Sequence, residues 1–433
     1  MHRVAGVVGA VLVVVSIFGF AAQPVSAGGA APQSVIVVFS DAVGDPGSLA
    51  AELGRAHGFS PRHVYTSALR GFAATLPNAA LAALERNPNV LAVELETVQQ
   101  VATDTLPTGI DRIDEDMLLP GLQTSDGVDV NADVAIIDTG IYRHAELEVA
   151  GGYNATSRNR NDWLDGNGHG THVAGTVAAA DDGSGVVGVA PGARVWAVRV
   201  CKTGRTCLTG DMVAGIDWIA QRKAEANDGA ADGDAGVDFV VANMSHTSSD
   251  EAVPCPTQNA VHRAVCGLVA TGVVFAQAAA NDNRVKNAYP EVLSVSALAD
   301  FNGKPGGGAA ATCRNDIDDT RADFSNYGPT TDIAAPGVCI RSTWNDGGYA
   351  VLSGTSMASP HVAGAVALYL YRNQLPPART ATDVDQIESA IIGAALAQSH
   401  ACGYYNDKAG VGSAEPLLFV NGSAYGGDES CGA

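Results

Sequence analysis

Val134-Ala-Ile-Ile-Asp138-Thr-Gly140 is a short apolar run, rich in β-branched residues, that ends in a carboxylate and a glycine. A continuous run without polar alternation reads as a strand covered on both faces. An aspartate at the end of such a strand sits where open parallel sheets bind their ligands. Runs of the same kind recur at Val195-Trp-Ala-Val198, Phe239-Val-Val-Ala242, Val273-Val-Phe-Ala276 and Val292-Leu-Ser-Val295. Helical spacing fills the gaps at 169–180, 209–222 and 259–271, and two further helices are expected at 359–372 and 383–395. This alternation predicts an α/β fold, a mainly parallel sheet sandwiched between helices.

Upstream, 34–40, 71–76 and 90–95 read as strands, with helical patterns at 49–57 and 79–86. This β-α-β-α-β run is a small α+β unit, long enough to fold and short enough to be marginal alone. Before it, Met1-His2-Arg3, an apolar stretch over 4–22 and Pro24-Val-Ser-Ala27-Gly28 form the three parts of a secretory signal cut after Ala27. No later segment reaches the 18 apolar residues of a spanning helix.

The whole chain has 433 residues, enough for two or three domains. Its 50 glycines and 46% hydrophobic content fit a tightly turned globular protein and argue against disorder. Lys+Arg of 25 against Asp+Glu of 46 gives a net charge of −21. Such a field repels phosphate backbones and anionic head groups, which argues against nucleic acid as a partner and against a membrane once the signal is gone. Eight cysteines, none in C-x-x-C spacing, point to an oxidising destination. Sequential pairing (201 with 207, 255 with 266, 313 with 339, 402 with 431) is one of many connectivities. Two acidic stretches, 225–238 and 313–323, read as solvated surface loops.

Chemistry concentrates in three places. Asp138 ends its strand. Gly166-Asn-Gly-His169-Gly-Thr-His172-Val-Ala-Gly175 delivers His169 to the mouth of a helix. Gly354-Thr-Ser356-Met-Ala-Ser-Pro360 puts a serine at a helix N-terminus, where backbone N–H groups can stabilise an oxyanion. A nucleophilic serine needs a base for its proton and a third group to hold that base; all three are present, in the order Asp, His, Ser. His172 and His361 read as packing or hydrogen-bonding residues, since H-x-x-H here lacks the glutamate of a zinc motif.

These three blocks, with Phe324-Ser-Asn-Tyr-Gly328 and Ala335-Pro-Gly337, resemble the signatures of subtilisin-like serine proteases, and most of all the secreted, proteinase K-like branch. The resemblance implies that Ser356 is the nucleophile, His169 the general base and Asp138 its orienting carboxylate. It implies that Asn281, in Gln277-Ala-Ala-Ala280-Asn281, donates to the oxyanion. It places Ser245, His246 and Thr247 on the strand that pairs with substrate, and Ala278, Ala279 and Ala280 at the wall of the P1 pocket. It makes the small unit an inhibitory propeptide, so the expected division is 1–27 signal, 28–101 propeptide and 102–433 catalytic domain.

The chain departs from the family at two points. Relatives usually carry glycine where Ala280 stands, and Ser-Leu-Gly-Gly where this chain has Ser245-His-Thr-Ser248. A narrowed pocket for small or medium P1 side chains is expected. The resemblance also implies structural calcium at Glu146 and Asp182, whose oxygen donors suit that ion; no cofactor is expected for catalysis. The expected protein is a secreted, monomeric endopeptidase of degradative or general processing role, acting on proteins or peptides and inhibited by its own propeptide. A silent or narrow-specificity binding protein on the same fold, or a peptide acyl-transferase, stays open beside it.

Overall fold

The computed structural model describes residues 32–96, 98–100, 104–105, 129–182, 185–202, 206–229, 236–246, 252–303, 308–398, 405 and 415–420. The expected signal, Thr247 and the Cys402–Cys431 pair lie outside them.

The N-terminal unit runs β1 (Gln33–Phe39), α1 (Pro46–His57), β2 (His63–Tyr65), β3 (Gly71–Leu76), α2 (Asn78–Leu84) and β4 (Val90–Leu95). Its four strands are ordered β2-β3-β1-β4, and β1 pairs antiparallel with β3 and β4. Side chains of β1 alternate in destination. Val35, Val37 and Phe39 join Phe72, Leu76, Leu53 and Leu84 in the unit's own core, while Ile36 and Val38 belong to the core of the larger domain. The sequence looks continuously apolar there because both faces are covered. Two short strands follow, β5 (Val98–Gln100) and β6 (Asp104–Thr105).

The larger domain continues with β7 (Asp133–Asp138), β8 (Val149–Asn154), α3 (His169–Ala178), β9 (Arg194–Arg199), β10 (Thr206–Leu208), α4 (Thr209–Asp228) and β11 (Phe239–Met244). It closes with α5 (Ala260–Ala270), β12 (Val274–Ala278), β13 (Leu293–Ala299), β14 (Thr320–Arg321), β15 (Ile333–Pro336), β16 (Ile340–Thr343), β17 (Tyr349–Ser353), α6 (Thr355–Arg372) and α7 (Ala381–Ala394). The central sheet is ordered β14-β13-β12-β11-β7-β9-β8, with β15 also on β13. Every pairing in it is parallel except β13 with β14. Helices α3 and α6 pack on each other and on the sheet, and α4 and α5 form a second packed pair. This is the expected mainly parallel, helix-covered sheet.

Three disulfides, Cys201–Cys207, Cys255–Cys266 and Cys313–Cys339, follow the sequential pairing. The acidic stretches are a correction. In 313–323, Asp316, Asp318 and Asp319 are buried rather than solvated. Their carboxylates fold inward because loop amides need acceptors: Asp316 takes Asp323 N–H at 2.8 Å, and Asp318 takes those of Phe301 and Ala309, each at 2.8 Å. In 225–238, α4 absorbs Glu225 and Asp228, and Asp238 pairs with Lys223 and Arg379.

The N-terminal unit docks on α4 and α5 through carboxylates at amide groups. Asp217 accepts the N–H groups of Thr66, Ser67 and Ala68 at 3.3, 2.7 and 2.6 Å. Glu94 accepts Ala260 N–H at 2.9 Å, where α5 begins, and Glu96 accepts Gly210 N–H at 2.9 Å, where α4 begins. Anions at helix N-termini meet both orphan donors and the positive end of the dipole. His63 lies between Asp211, 2.8 Å away, and the Arg160 guanidinium at 3.1 Å.

Candidate active site

Strand β7 delivers Asp138 to its C-terminal end. Burial alone would raise this carboxyl; the charges of His169 and His246, with hydrogen bonds from His169 and the Thr139 N–H, outweigh burial and hold it below its ordinary range. Both carboxylate oxygens receive His169 Nδ1, at 2.8 and 2.9 Å. His169 is the first residue of α3, and Nε2 is buried with no hydrogen-bond partner among the described residues.

The turn that presents His169 is organised by Asp165. One of its oxygens accepts Thr139 Oγ1, Asn167 N and Gly168 N; the other accepts Thr171 N and Oγ1. One carboxylate thus ties the end of β7 to the start of α3. Gly168, at φ 109°, is required twice over: the left-handed backbone favours glycine, and a Cβ would run into the Trp344 indole.

Ser356 is the second residue of α6, and its hydroxyl donates to the Ser245 carbonyl at 3.0 Å. Pro360 sits four residues on, inside the same helix. A proline has no N–H, so the Ser356 carbonyl loses its intrahelical donor. Ser245 Oγ takes that place, donating to Ser356 O at 2.9 Å and lying 3.1 Å from Ser359 Oγ. The Ser245 side chain, expected at the substrate edge, instead buttresses the serine turn.

Asn281 is held by its carbonyl end, where Oδ1 accepts Thr355 N at 2.9 Å and Thr355 Oγ1 at 3.0 Å. That leaves the NH₂ end of the amide to donate. Before it, Ala280 stands at φ 84°, a conformation that favours glycine and accounts for the family's usual residue. Its N–H is anchored on Thr355 Oγ1 at 3.0 Å. Ala278 and Ala279 are buried at and just beyond the end of β12.

The His246 side chain is the clearest difference from expectation. It points to the Asp138–His169 pair and the Cys201–Cys207 disulfide. Burial pushes this imidazole down to about 4. His172 and His361 are the hydrogen-bonding residues expected: His172 Nε2 donates to Ile340 O at 3.0 Å and His361 Nδ1 to Met357 O at 2.7 Å. Burial pushes His172 down to about 3.

Sequence reading missed Asp165, Thr355 and the pairing of Pro360 with Ser245. The Asp165-Gly-Asn-Gly turn carried a usable signal, since aspartates in such turns bind amides a few residues on. Nothing local announced the other two.

Residues 130–412 match the subtilase family, and residues 35–102 match the peptidase inhibitor I9 family. The chain belongs to the subtilase family. This subtilase is 33% identical to subtilisin NAT of Bacillus subtilis subsp. natto over 327 residues, 73% of the chain and 74% of the relative. It is 34% identical to an alkaline protease of Alkalihalobacillus alcalophilus over 291 residues, 67% of the chain and 66% of the relative. A cold-adapted subtilisin-like serine proteinase of known crystal structure has a TM-score of 0.51 at 29% identity, with 72% of this chain and 98% of that one covered. The subtilase is a serine endopeptidase made as a self-inhibited precursor, with its I9 propeptide as intramolecular inhibitor.

Proposed function

We propose that Ser356, His169 and Asp138 are the triad of this endopeptidase, with Asn281 and the Ser356 N–H as oxyanion donors. The observation that carries the reading is the buried Asp138 carboxylate bound through both oxygens to His169 Nδ1. With the proton fixed on Nδ1, Nε2 is the basic atom. It takes the Ser356 hydroxyl proton as Oγ attacks the peptide carbonyl, and returns it to the leaving amine. Water then repeats the sequence on the acyl-enzyme. Charge on the tetrahedral oxygen is met by the Asn281 amide and by the N-terminus of α6. Serine attacks first and water second, imidazole carries the proton in each half, and the carboxylate holds imidazole in place without giving or taking a proton.

The division into propeptide and catalytic domain has a counterpart in the strand pairing. β5 lies antiparallel on β10, and β6 lies antiparallel on Leu352 and Ser353 of β17, just before Gly354-Thr-Ser356. A chain held at β5 on one side and beside the serine turn at β6 on the other is cut between the two, in 101–103, which supports a boundary near 101. The precursor is read as secreted and processed by itself. Expressed in full, wild type is expected to start within 102–104 and to digest casein. Ser356→Ala is expected to keep its propeptide and to lose at least about a thousandfold in kcat. Equal processing of both, with no casein digestion by either, overturns the reading.

The chain's oxygen donors fit structural calcium at Glu146. Burial raises this carboxyl, the Tyr349 hydroxyl opposes the shift and Asp182 adds to it. Tyr349 OH donates to Oε1 at 2.6 Å, while Oε2 is buried without a hydrogen-bond partner among the described residues. A cation held by Glu146 and Asp182 would pin the start of the 182–188 loop. EDTA is expected to lower the thermal midpoint, and an unchanged midpoint overturns the site.

A further inference from the structure

His246 has no part in the reaction as derived, yet it is wholly buried beside the groups that do. Its Nε2 lies 3.7 Å from Asp138 Oδ2 and 3.3 Å from Cys201 Sγ, and Cys207 Sγ is 4.0 Å from both ring nitrogens. The ring centroid is 6.1 Å from that of His169, with the planes 26° apart. The disulfide is fixed to the same aspartate through the main chain, because Val200 N and Cys201 N donate to Asp138 O at 2.9 and 3.3 Å. Its other half, Cys207, lies on β10, the edge that pairs with β5.

An apolar side chain would fill this space as well. A polar side chain offers in addition an N–H dipole to the second carboxylate oxygen, at a separation too long for a hydrogen bond and short enough for charge–dipole attraction in a buried site. It also lays a face beside the imidazole that becomes charged in the transition state. We propose that His246 is a positioning residue for the Asp138–His169 pair, held in place by the Cys201–Cys207 disulfide. Through the disulfide it connects the peptide-pairing edge to the base. The proposal rests on the triad reading above; the His246 ring contacts Asp138, His169 and the disulfide.

The test uses processed enzyme from the full precursor, with active sites counted by stoichiometric phosphorylation with diisopropyl fluorophosphate, so that misfolded molecules are not scored. kcat and KM are measured per titrated site on a peptide p-nitroanilide that wild type cleaves. His246→Leu is expected to lower kcat about 10-fold with KM within about twofold, as loss of alignment does. His246→Gln, which restores a donor near Nε2, is expected to recover most of the loss. The pair Cys201→Ala and Cys207→Ala is expected to lower kcat, with no further loss when His246→Leu is added.

A His246→Leu enzyme at wild-type kcat, or Gln and Leu variants equally slow, overturns the proposal. Additive losses in the triple variant remove the disulfide from it. Ser356→Ala, cut free of its propeptide by added wild-type enzyme that is then removed, and assayed per mole of folded protein, separates the two levels. If that variant turns over substrate, the triad reading falls and this proposal with it. If it is inert while His246→Leu runs at the wild-type rate, only the role of His246 falls.

Discussion

The propeptide's own core is Val35, Val37, Phe39, Phe72, Leu76 and their apolar neighbours, and the buried polar residue of that unit, His63, turns to Asp211 of α4 instead. The centre of the catalytic domain instead holds Asp138, His169, His172, His246 and His361, none more than 2% exposed. Backbone strain is divided the same way. All five described non-glycine residues with positive φ, Ala280, Asn283, Asp319, Cys339 and Gln374, lie in the catalytic domain. Regular structure and apolar packing suffice for a unit whose task is to fit a surface. Buried polar groups gather where atoms must be held for chemistry, and one of the left-handed residues, Ala280, stands directly before Asn281. The two parts meet through the apolar face of Ile36 and Val38 and through a third kind of contact, carboxylates at amide groups.

The contrast breaks most visibly at that junction. Asp217→Ala removes the acceptor of three consecutive propeptide N–H groups, and hydrogen bonds to a charged group contribute about 2 kcal/mol. Propeptide added in trans to mature enzyme is expected to inhibit about 30-fold less strongly. An unchanged inhibition constant would mean that the Ile36 and Val38 face holds the unit by itself. The second test is acidity. His246 and His172 have folded values of about 4 and about 3, below the ordinary imidazole, so between pH 6.5 and 4 the unfolded chain takes up protons that the folded one refuses. Stability is therefore full above pH 6.5 and falls as pH falls through that window. Calorimetry of the Ser356→Ala precursor is expected to show the loss in the catalytic transition, and His246→Leu is expected to shrink it. The smallest effect is expected at Ala280. Ala280→Gly relieves a left-handed alanine at about 1 kcal/mol, partly offset by a looser unfolded chain. The expected gain in thermal midpoint is about 2 °C, with larger P1 side chains accepted in a peptide-library digest.

Much of this was legible in the sequence, for reasons that differ by element. β7, β11, β12 and β13 announce themselves because strands covered on both faces need unbroken apolar runs. β8 does not: Val149-Ala-Gly-Gly-Tyr-Asn154 reads as a turn, yet Gly151 and Gly152 are there because Trp196 and Ala197 on the neighbouring strand crowd out any Cβ. β2 was too short and too polar at its start to be seen. Asp138, His169 and Ser356 stood out as candidates because their local turns are distinctive, and Asn281 entered only through the family resemblance. Ser245 and His246 follow directly on β11, and the turn of their side chains toward the serine turn and the Asp138–His169 pair could not be read from the sequence, since only the packing says which way a side chain turns.

Pro360 and Ser245 carry a consequence for how this sequence can vary. A proline in one helix leaves a carbonyl bare, and a hydroxyl from a distant strand covers it. Neither residue is interpretable alone: serine without the proline has a competing amide in its way, and proline without the serine strands an acceptor behind the nucleophile. The two positions are expected to vary as one, so that a lineage that loses either loses both.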